Sequence, residues 1–348
     1  MYDHTIRPSE NNITTVEFLN SFFIIIILYL HHTMYMIYHI KLLPEYNLNL
    51  YLQKMAVGGF LFLSGFKLTH SKIKSSVGAF IKNRFFRIYL PYVLAVICYS
   101  GIVFPYINLG RFPNYKNVFI HVLGIQSILP GVFGSQYLTL WFVSFLFLCY
   151  AFFLLTRKIV TRSSLFLMSL AFSILIILII HLYSTSIMGI AIFSKDILIY
   201  LIYFAMGMLY AKNRFIMEKT NSIILLVVSI FGLISTLYFY TYKPQVWGDE
   251  LILAISYIIS SIAFYILIFK GFKQYRPSRQ IKSLIQNMSF ASFFVFLFHR
   301  PVWSIMNLVW FDISILHSLY MIVFAPIVIF VGCHRFQSGY NRLLQNME

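Results

Sequence analysis

The chain consists mostly of apolar runs long enough to cross a lipid bilayer, and this constrains its fold more than any other feature. A membrane-crossing helix needs about 17 to 25 apolar residues, and it satisfies its backbone groups internally, as hydrocarbon requires. Ten predicted spans lie at residues 16–36, 51–68, 87–107, 138–156, 164–183, 196–211, 220–241, 250–270, 287–310 and 317–335. We therefore predict an all-α fold, a polytopic transmembrane helix bundle that forms one integral-membrane domain over residues 1–348.

Composition agrees with this class. Of the residues, 60% are hydrophobic and 11% are charged, whereas soluble domains carry about 25% charged residues. A net charge of +17 would indicate nucleic-acid binding in a soluble protein, but here it reflects basic cytoplasmic loops that face anionic lipid. The three cysteines lie within apolar runs and lack the spacing of a metal site. We expect the lipid bilayer as a partner, and no nucleic acid, metal or permanently bound cofactor.

The distribution of basic residues predicts the orientation. With both termini in the cytoplasm, twenty of the 27 Lys and Arg residues fall on the inside, where short basic loops are retained. We therefore expect a multi-pass protein of the cell (inner) membrane. The apolar segment 117–131 is too short for a span and both its flanks lie outside, which favours an interfacial or re-entrant segment.

The connection between the second and third spans is strongly basic, and Arg84 and Arg87 stand at the entry to the third span. Residues three apart on a helix share a face. A guanidinium group binds phosphate with a planar fork, so this pair suits a phosphate-bearing cytosolic ligand. The alternative is that both residues are topology anchors whose side chains extend to the headgroups.

Polar groups inside spans are costly and are therefore candidates for function. In the first span, Asn20 and His31 follow Glu17 and are three helical turns apart, which places them on nearly one helix face about 16 Å apart. Histidine exchanges protons near neutral pH, so His31 is either a general base or an interfacial residue. In the ninth span, His299 and Arg300 lie past the midplane, where an Arg needs a polar partner unless it extends to the outer headgroups.

Several segments together resemble the acyltransferase-3 family of integral-membrane acyltransferases, which modify sugars of cell-surface polymers and lipids. In chain order they are EFLN at 17–20 with His31 after it, GGFLFLSGF at 58–66, RFFRIYLPY at 84–92, LTLWFVSFLFLCY at 138–150, YFAMGMLYAKN at 203–213 and NMSFASFFVFLFHRPVW at 287–303. No single segment is specific. Their order and spacing cover most of the chain and include a counterpart of the family's R-x-x-R motif.

The resemblance implies an enzyme that moves an acyl group other than an aminoacyl group. Its donor substrate would be acetyl-CoA or another acyl-CoA from the cytoplasm, and its acceptor a hydroxyl of a cell-surface or lipid-linked glycan. It places the CoA phosphates on Arg84 and Arg87. It also implies a catalytic group of His31, Asn20 and Glu17, with His31 as the base.

The chain departs from the family pattern at Asn20, since the family has Arg eleven residues before its histidine. Asparagine hydrogen-bonds but lacks the charge that could hold an anionic oxygen. Three explanations are open: the activity tolerates Asn20, Arg300 supplies the charge instead, or the protein is catalytically weakened. The further substrate or structural candidates are Ser64, Trp141, His299 and Arg300, with Trp141 and segment 117–131 expected at the outer mouth of the site.

The competing class is a non-enzymatic exporter or flippase of a lipid-linked glycan, which the same number of spans would serve. Donor binding distinguishes the two classes, because a transporter has no reason to bind acetyl-CoA. A glycan polymerase usually has a large outer loop, which this sequence lacks.

The predicted orientation can be tested with single cysteines in a background without the native ones. Cysteines introduced as Ser75→Cys and Arg276→Cys should resist an impermeant thiol reagent added outside, because both lie in predicted cytoplasmic loops. Lys243→Cys should react, since it lies in a predicted outer loop. Labelling of position 276 from outside would contradict the ten-span arrangement and the cytoplasmic donor site.

Overall fold

The computed structural model describes residues 10–32, 46–70, 76–128, 137, 139–189, 192–193, 195–217, 219–242, 247–272, 277–309, 311 and 313–346. Over these residues the chain is helical and contains no strand, which agrees with the predicted fold class. The α-helices are α1 Glu10–His32, α2 Tyr46–His70, α3 Val77–Arg84, α4 Leu90–Cys98, α5 Phe104–Ile107, α6 Tyr115–Leu123, α7 Trp141–Thr156, α8 Ser163–Met188, α9 Lys195–Met217, α10 Ser222–Tyr242, α11 Trp247–Gly271, α12 Arg279–Met306, α13 Ser314–Leu319 and α14 Ala325–Gln345. Wider π-helical turns occupy Phe85–Tyr89, Tyr99–Val103 and Tyr320–Phe324.

Six helical segments of the described residues are long and apolar enough to cross a membrane, and they coincide with predicted spans three, five, seven, eight, nine and ten. They are Val77–Ile107, Ser163–Ile187, Ser222–Phe239, Ile252–Gly271, Arg279–Met306 and Ile315–Gln345. Shorter apolar helices at Thr15–His31 and Trp141–Thr156 match predicted spans one and four. The chain is therefore an integral, multi-pass membrane protein.

The two remaining predicted spans, 51–68 and 196–211, fold as parts of α2 and α9. Neither helix is among the six candidates, and both carry polar residues, such as Lys54 in α2 and Lys212 in α9. The total of ten spans and the cytoplasmic position of both termini stay predictions.

The chain divides by its internal contacts into two compact units, each assembled from separate stretches of sequence. The first unit comprises Met1–Leu30, Lys41–Ser71 and Tyr203–Ser292. The second comprises His31–Ile40, Lys72–Ile202 and Phe293–Glu348. The expected single domain stays a prediction, and the two units are described separately below.

In the first unit, α2 and α9 approach each other closely at two glycines. A Cβ atom at Gly65 would lie 2.1 Å from the backbone oxygen of Phe204, and one at Gly207 would lie 2.0 Å from that of Phe62. Small residues at these positions let the two backbones approach, as is common between membrane helices. Aromatic rings fill the surrounding core, with contacts among Phe62, Phe66, Tyr210, Tyr265 and Phe269.

The second unit is held by aromatic contacts between distant helices. The rings of Phe142 in α7 and Phe296 in α12 lie 4.9 Å apart, and those of Phe298 in α12 and Phe336 in α14 lie 5.5 Å apart. The apolar segment 117–131 begins as α6, a helix of nine residues, which ends at Gly124 in a left-handed conformation. Nine residues rise only about 14 Å, so α6 is too short to cross a bilayer.

The glycine crossing predicts a sharp sensitivity to added volume. Gly207→Ala should lower the free energy of unfolding of the detergent-solubilised protein by about 1–3 kcal/mol, because the added methyl group would overlap the backbone of α2, which must then move. Gly332→Ala in α14 is the matched control, since no described atom lies within 4 Å of a Cβ built there. Equal stability of the two variants would show that α2 and α9 do not cross at these glycines.

Candidate functional site

Two buried histidines from distant parts of the sequence meet in the second unit. The His31 Nδ1 atom lies 2.9 Å from the His299 Nε2 atom, at hydrogen-bonding distance. The two rings are nearly parallel, with an interplanar angle of 6°. His31 is 8% exposed and His299 is fully buried. These residues, called the histidine pair below, were each predicted as candidates, and the structure brings them together.

The position of His299 is fixed by its own helix. Its Nδ1 atom lies 3.0 Å from the Val295 carbonyl oxygen and 2.9 Å from that of Phe296, one turn earlier in α12. The Trp303 ring stands almost perpendicular to the His299 ring at a centroid distance of 5.7 Å. Because the ring is held on several sides, His299 presents its Nε2 atom to His31 in one direction.

Arg300 is the charged neighbour of the histidine pair. It follows His299 in α12, is only 3% exposed, and interacts electrostatically with both histidines. The sequence raised the alternative that Arg300 extends to the outer headgroups, but its side chain is buried within the protein. Among the described residues, no group of three or more His, Cys, Asp or Glu side chains is placed to hold a metal ion.

The polar residues predicted beside His31 in the first span lie in the first unit, on the part of α1 that contacts α12. The Asn20 Nδ2 atom donates a hydrogen bond of 3.2 Å to the Ser289 hydroxyl. The Ser21 hydroxyl lies 2.9 Å from the backbone oxygen of Ile285, also in α12. These bonds join two helices, so the Asn20 amide is already engaged in packing. Asn20 and His31 belong to one helix but to different units, and their joint action stays a prediction.

Glu17, the third predicted catalytic residue, also lies in the first unit, and with Asn20, Ser21 and Ser289 it forms the polar group of that unit. Its carboxylate hydrogen-bonds with the side chain of Gln286 and interacts electrostatically with Lys282 and Lys67. These partners lie on α12 and α2, while the Glu17 Oε2 atom is buried without a hydrogen-bond partner among the described residues. This arrangement gives Glu17 a structural role, and its catalytic role stays a prediction.

Arg84 and Arg87 lie in different surroundings within the second unit. The half-buried Arg84 guanidinium lies over the rings of Phe80 and Tyr150, at 5.2 and 5.3 Å, whereas Arg87 is exposed. The Arg84 Nε atom is buried and has no hydrogen-bond partner among the described residues. The shared face expected from their spacing assumes a regular α-helix, but a π-helical turn begins at Phe85 and widens the helix between them.

Trp141 contacts the described part of segment 117–131, and the position of both at the outer mouth of the site stays a prediction. The Ser127 hydroxyl donates to the Trp141 backbone oxygen at 2.7 Å, and the Ser144 hydroxyl accepts from the Ser127 backbone N–H at 3.2 Å. The Trp141 ring contacts that of Tyr200 at 5.2 Å. The last candidate, Ser64, is half-buried in α2 and makes no hydrogen bond with the described residues.

Two basic residues of α9, Lys212 and Arg214, lie near His70 at the end of α2 in the first unit, just past the predicted second span. Burial lowers the pKa of His70, and the charges of Arg214 and Lys212 lower it further. The His70 ring stands edge-on to Phe66 at 4.5 Å, and Arg214 lies 5.5 Å from the centre of the Phe269 ring. Nothing in the spacing of His70, Lys212 and Arg214 predicts that they meet.

The chain is similar to one known protein family. A family model described as an acyltransferase domain matches residues 15–333. The matched region includes the histidine pair, Arg300, the polar group of the first unit, and both arginines of the loop before the third span. No curated protein and no solved structure matches the chain.

Proposed function

The chain belongs to the acyltransferase-3 family, and we propose that it moves an acyl group, acetyl above all, from a cytosolic acyl-CoA to a hydroxyl of a cell-surface or lipid-linked glycan. Family membership supports the acyltransferase activity. The donor, the acceptor and the acetyl group are parts of the proposal. The observation that carries it is the histidine pair, which holds a hydrogen-bonded imidazole inside a membrane protein.

In the proposed reaction His31 is the general base. It removes the proton of the acceptor hydroxyl as the oxygen attacks the thioester carbon. The new C–O bond forms, the C–S bond breaks, and the CoA sulfur leaves with the proton that His31 has taken. The reaction is balanced without any further reactant, since hydroxyl plus thioester gives ester plus thiol.

The surroundings of His31 suit this chemistry. Its burial limits the access of water, which would otherwise hydrolyse the thioester. The hydrogen bond from the histidine pair orients the imidazole, as a second group orients the base in other acyl-transfer sites. Histidine can take and release a proton near neutral pH.

Arg300 supplies the positive charge that Asn20 lacks. Negative charge develops on the thioester oxygen during the attack, and a fixed cation nearby stabilises it. Arg300 is buried beside the histidine pair in the second unit, whereas the Asn20 amide is engaged with Ser289 in the first. This favours the second of the three explanations for the departure from the family pattern.

The donor phosphates bind at Arg84 and Arg87 on the cytoplasmic side. Arg84 supports this assignment because its Nε atom is buried without a hydrogen-bond partner among the described residues, while flanking rings hold the guanidinium plane. A guanidinium held in this way gains a charge-assisted hydrogen bond when phosphate binds. The exposed Arg87 contributes a more solvated and therefore weaker contact.

The role of His31 is tested by His31→Gln, whose amide can still donate to His299 but cannot act as a base. Acyl transfer should fall by about 10²- to 10⁴-fold while acetyl-CoA binding is retained. Transfer is measured by mass spectrometry of surface glycans from cells with and without each variant. His181→Gln is the matched control, because the Nδ1 atom of that ring lies 2.9 Å from the Ile192 and Phe193 carbonyl oxygens near the end of α8 and has no part in the proposed reaction. Full transfer by His31→Gln would end the catalytic role of His31.

The donor site is tested by acetyl-CoA binding to the purified protein. Arg84→Ala should weaken binding by roughly 10- to 150-fold, because a hydrogen bond to a charged group contributes about 1.5–3 kcal/mol. Arg87→Ala should weaken it less, and Arg162→Ala, an exposed arginine of another predicted cytoplasmic loop, should not change it. Unchanged binding in the double Arg84/Arg87 variant would leave both residues as topology anchors. A wild-type protein that binds no acetyl-CoA would favour the exporter instead.

A further inference from the structure

We propose that His299 is a positioning residue that fixes the proton of His31 on Nδ1, so that His31 accepts the acceptor's proton through Nε2. The inference rests on the proposed function, since it names the reacting nitrogen of the same base. It adds a role for His299 that goes beyond its place as a neighbour of the base.

The His299 ring carries its proton on Nδ1, the nitrogen that faces away from His31. Its Nδ1 atom faces two backbone carbonyl oxygens, those of Val295 and Phe296, at 3.0 and 2.9 Å. A carbonyl oxygen only accepts hydrogen bonds, so Nδ1 must carry the proton. Both carbonyls belong to the helix that carries His299, and the proton is therefore fixed by the backbone of α12.

The proton on His299 Nδ1 determines which nitrogen of His31 is protonated, because a neutral imidazole has one donor and one acceptor nitrogen. When Nδ1 is the donor, Nε2 has the lone pair and can only accept. The partner at 2.9 Å from His299 Nε2 is His31 Nδ1. Two lone pairs cannot form a hydrogen bond, so His31 Nδ1 must carry a proton and donate it.

The atom of His31 that takes the acceptor's proton is therefore Nε2. With its proton on Nδ1, a neutral His31 has its lone pair on Nε2, which the histidine pair does not use. This is the arrangement that a general base requires, because the atom that takes the proton must be free of one beforehand. After proton uptake, His31 still donates through Nδ1 to His299, so the hydrogen bond is kept throughout the reaction.

The parallel rings add orientation to this choice of tautomer. An interplanar angle of 6° and burial of both rings restrict rotation of the His31 imidazole. Without an acceptor at the His299 position, nothing in the described contacts would select between the two tautomers of His31. A fraction of the protein would then carry the proton on Nε2, where it blocks the base. His299 therefore acts through His31 and needs no contact with the substrate.

The direct test is ¹⁵N NMR of the detergent-solubilised protein with ¹⁵N-labelled histidine. The His31 signals are assigned by their disappearance in His31→Gln. We expect His31 Nδ1 and His299 Nδ1 to show shifts of protonated nitrogens, and both Nε2 atoms to show shifts of unprotonated ones. A protonated Nε2 on neutral His31 would overturn the inference, as would a doubly protonated His299 that donates to His31.

Kinetics provide the second test, with two variants that differ in hydrogen-bonding ability. His299→Leu removes the acceptor and should lower kcat, by at most the roughly 10²- to 10⁴-fold that a general base contributes, with little change in the KM for acetyl-CoA. His299→Gln offers a side-chain oxygen to His31 Nδ1 and should recover part of that loss. A purely structural role of His299 predicts instead that both variants lose stability and activity in parallel, with the His31 tautomer unchanged.

The outcomes separate this inference from the proposed function. If His31→Gln is inactive but the wild-type tautomer is the opposite one, the enzyme stands and the role of His299 falls. If His31→Gln is fully active, the base assignment falls and the positioning role of His299 falls with it. Retained kcat and a retained His31 tautomer in His299→Leu would also overturn the inference.

Discussion

A polar group placed inside a membrane helix must find its hydrogen-bond partner on another part of the protein, because hydrocarbon offers none. Each informative contact of this chain follows from that constraint. His31 finds His299, and Asn20 finds Ser289. Both bonds join helices that are distant in the sequence, so polar contacts of this kind position the helices as well as the groups that are proposed to react.

The constraint also accounts for the departure from the family pattern at position 20. The Asn20 amide joins α1 to α12 in the first unit and is buried, so it works as a packing group. In the proposed reaction the charge is supplied instead by Arg300, which is buried in the second unit. An arginine introduced at position 20 would have to displace the bond to Ser289. Loss of the family arginine is therefore compatible with an active enzyme in which base and cation are neighbours.

Much of this architecture could be predicted from the sequence, because long apolar runs, basic loops and isolated polar residues are local features. His31, His299 and Arg300 were each recognisable as costly polar groups within spans. Their meeting was not predictable, since 268 positions separate the paired histidines and no spacing rule links them. The π-helical turn after Arg84 was not predicted, although it has a local signal: Pro91 lies two residues after the turn, as Pro105 and Pro326 do after the other two π-helical turns. The predicted spans 51–68 and 196–211 fold within α2 and α9, which are not among the six candidate crossing helices, so whether they cross the membrane stays a prediction.

The central claim is that acyl transfer takes place at His31, and a structure with a bound non-hydrolysable acyl-CoA analogue tests it most directly. The account predicts that the carbonyl carbon of the analogue lies within about 6 Å of His31 Nε2, which leaves room for one hydroxyl oxygen about 3 Å from each. It also predicts that the analogue's phosphates contact Arg84. A carbonyl carbon bound far from the histidine pair, with another ionisable side chain beside it, would contradict the account.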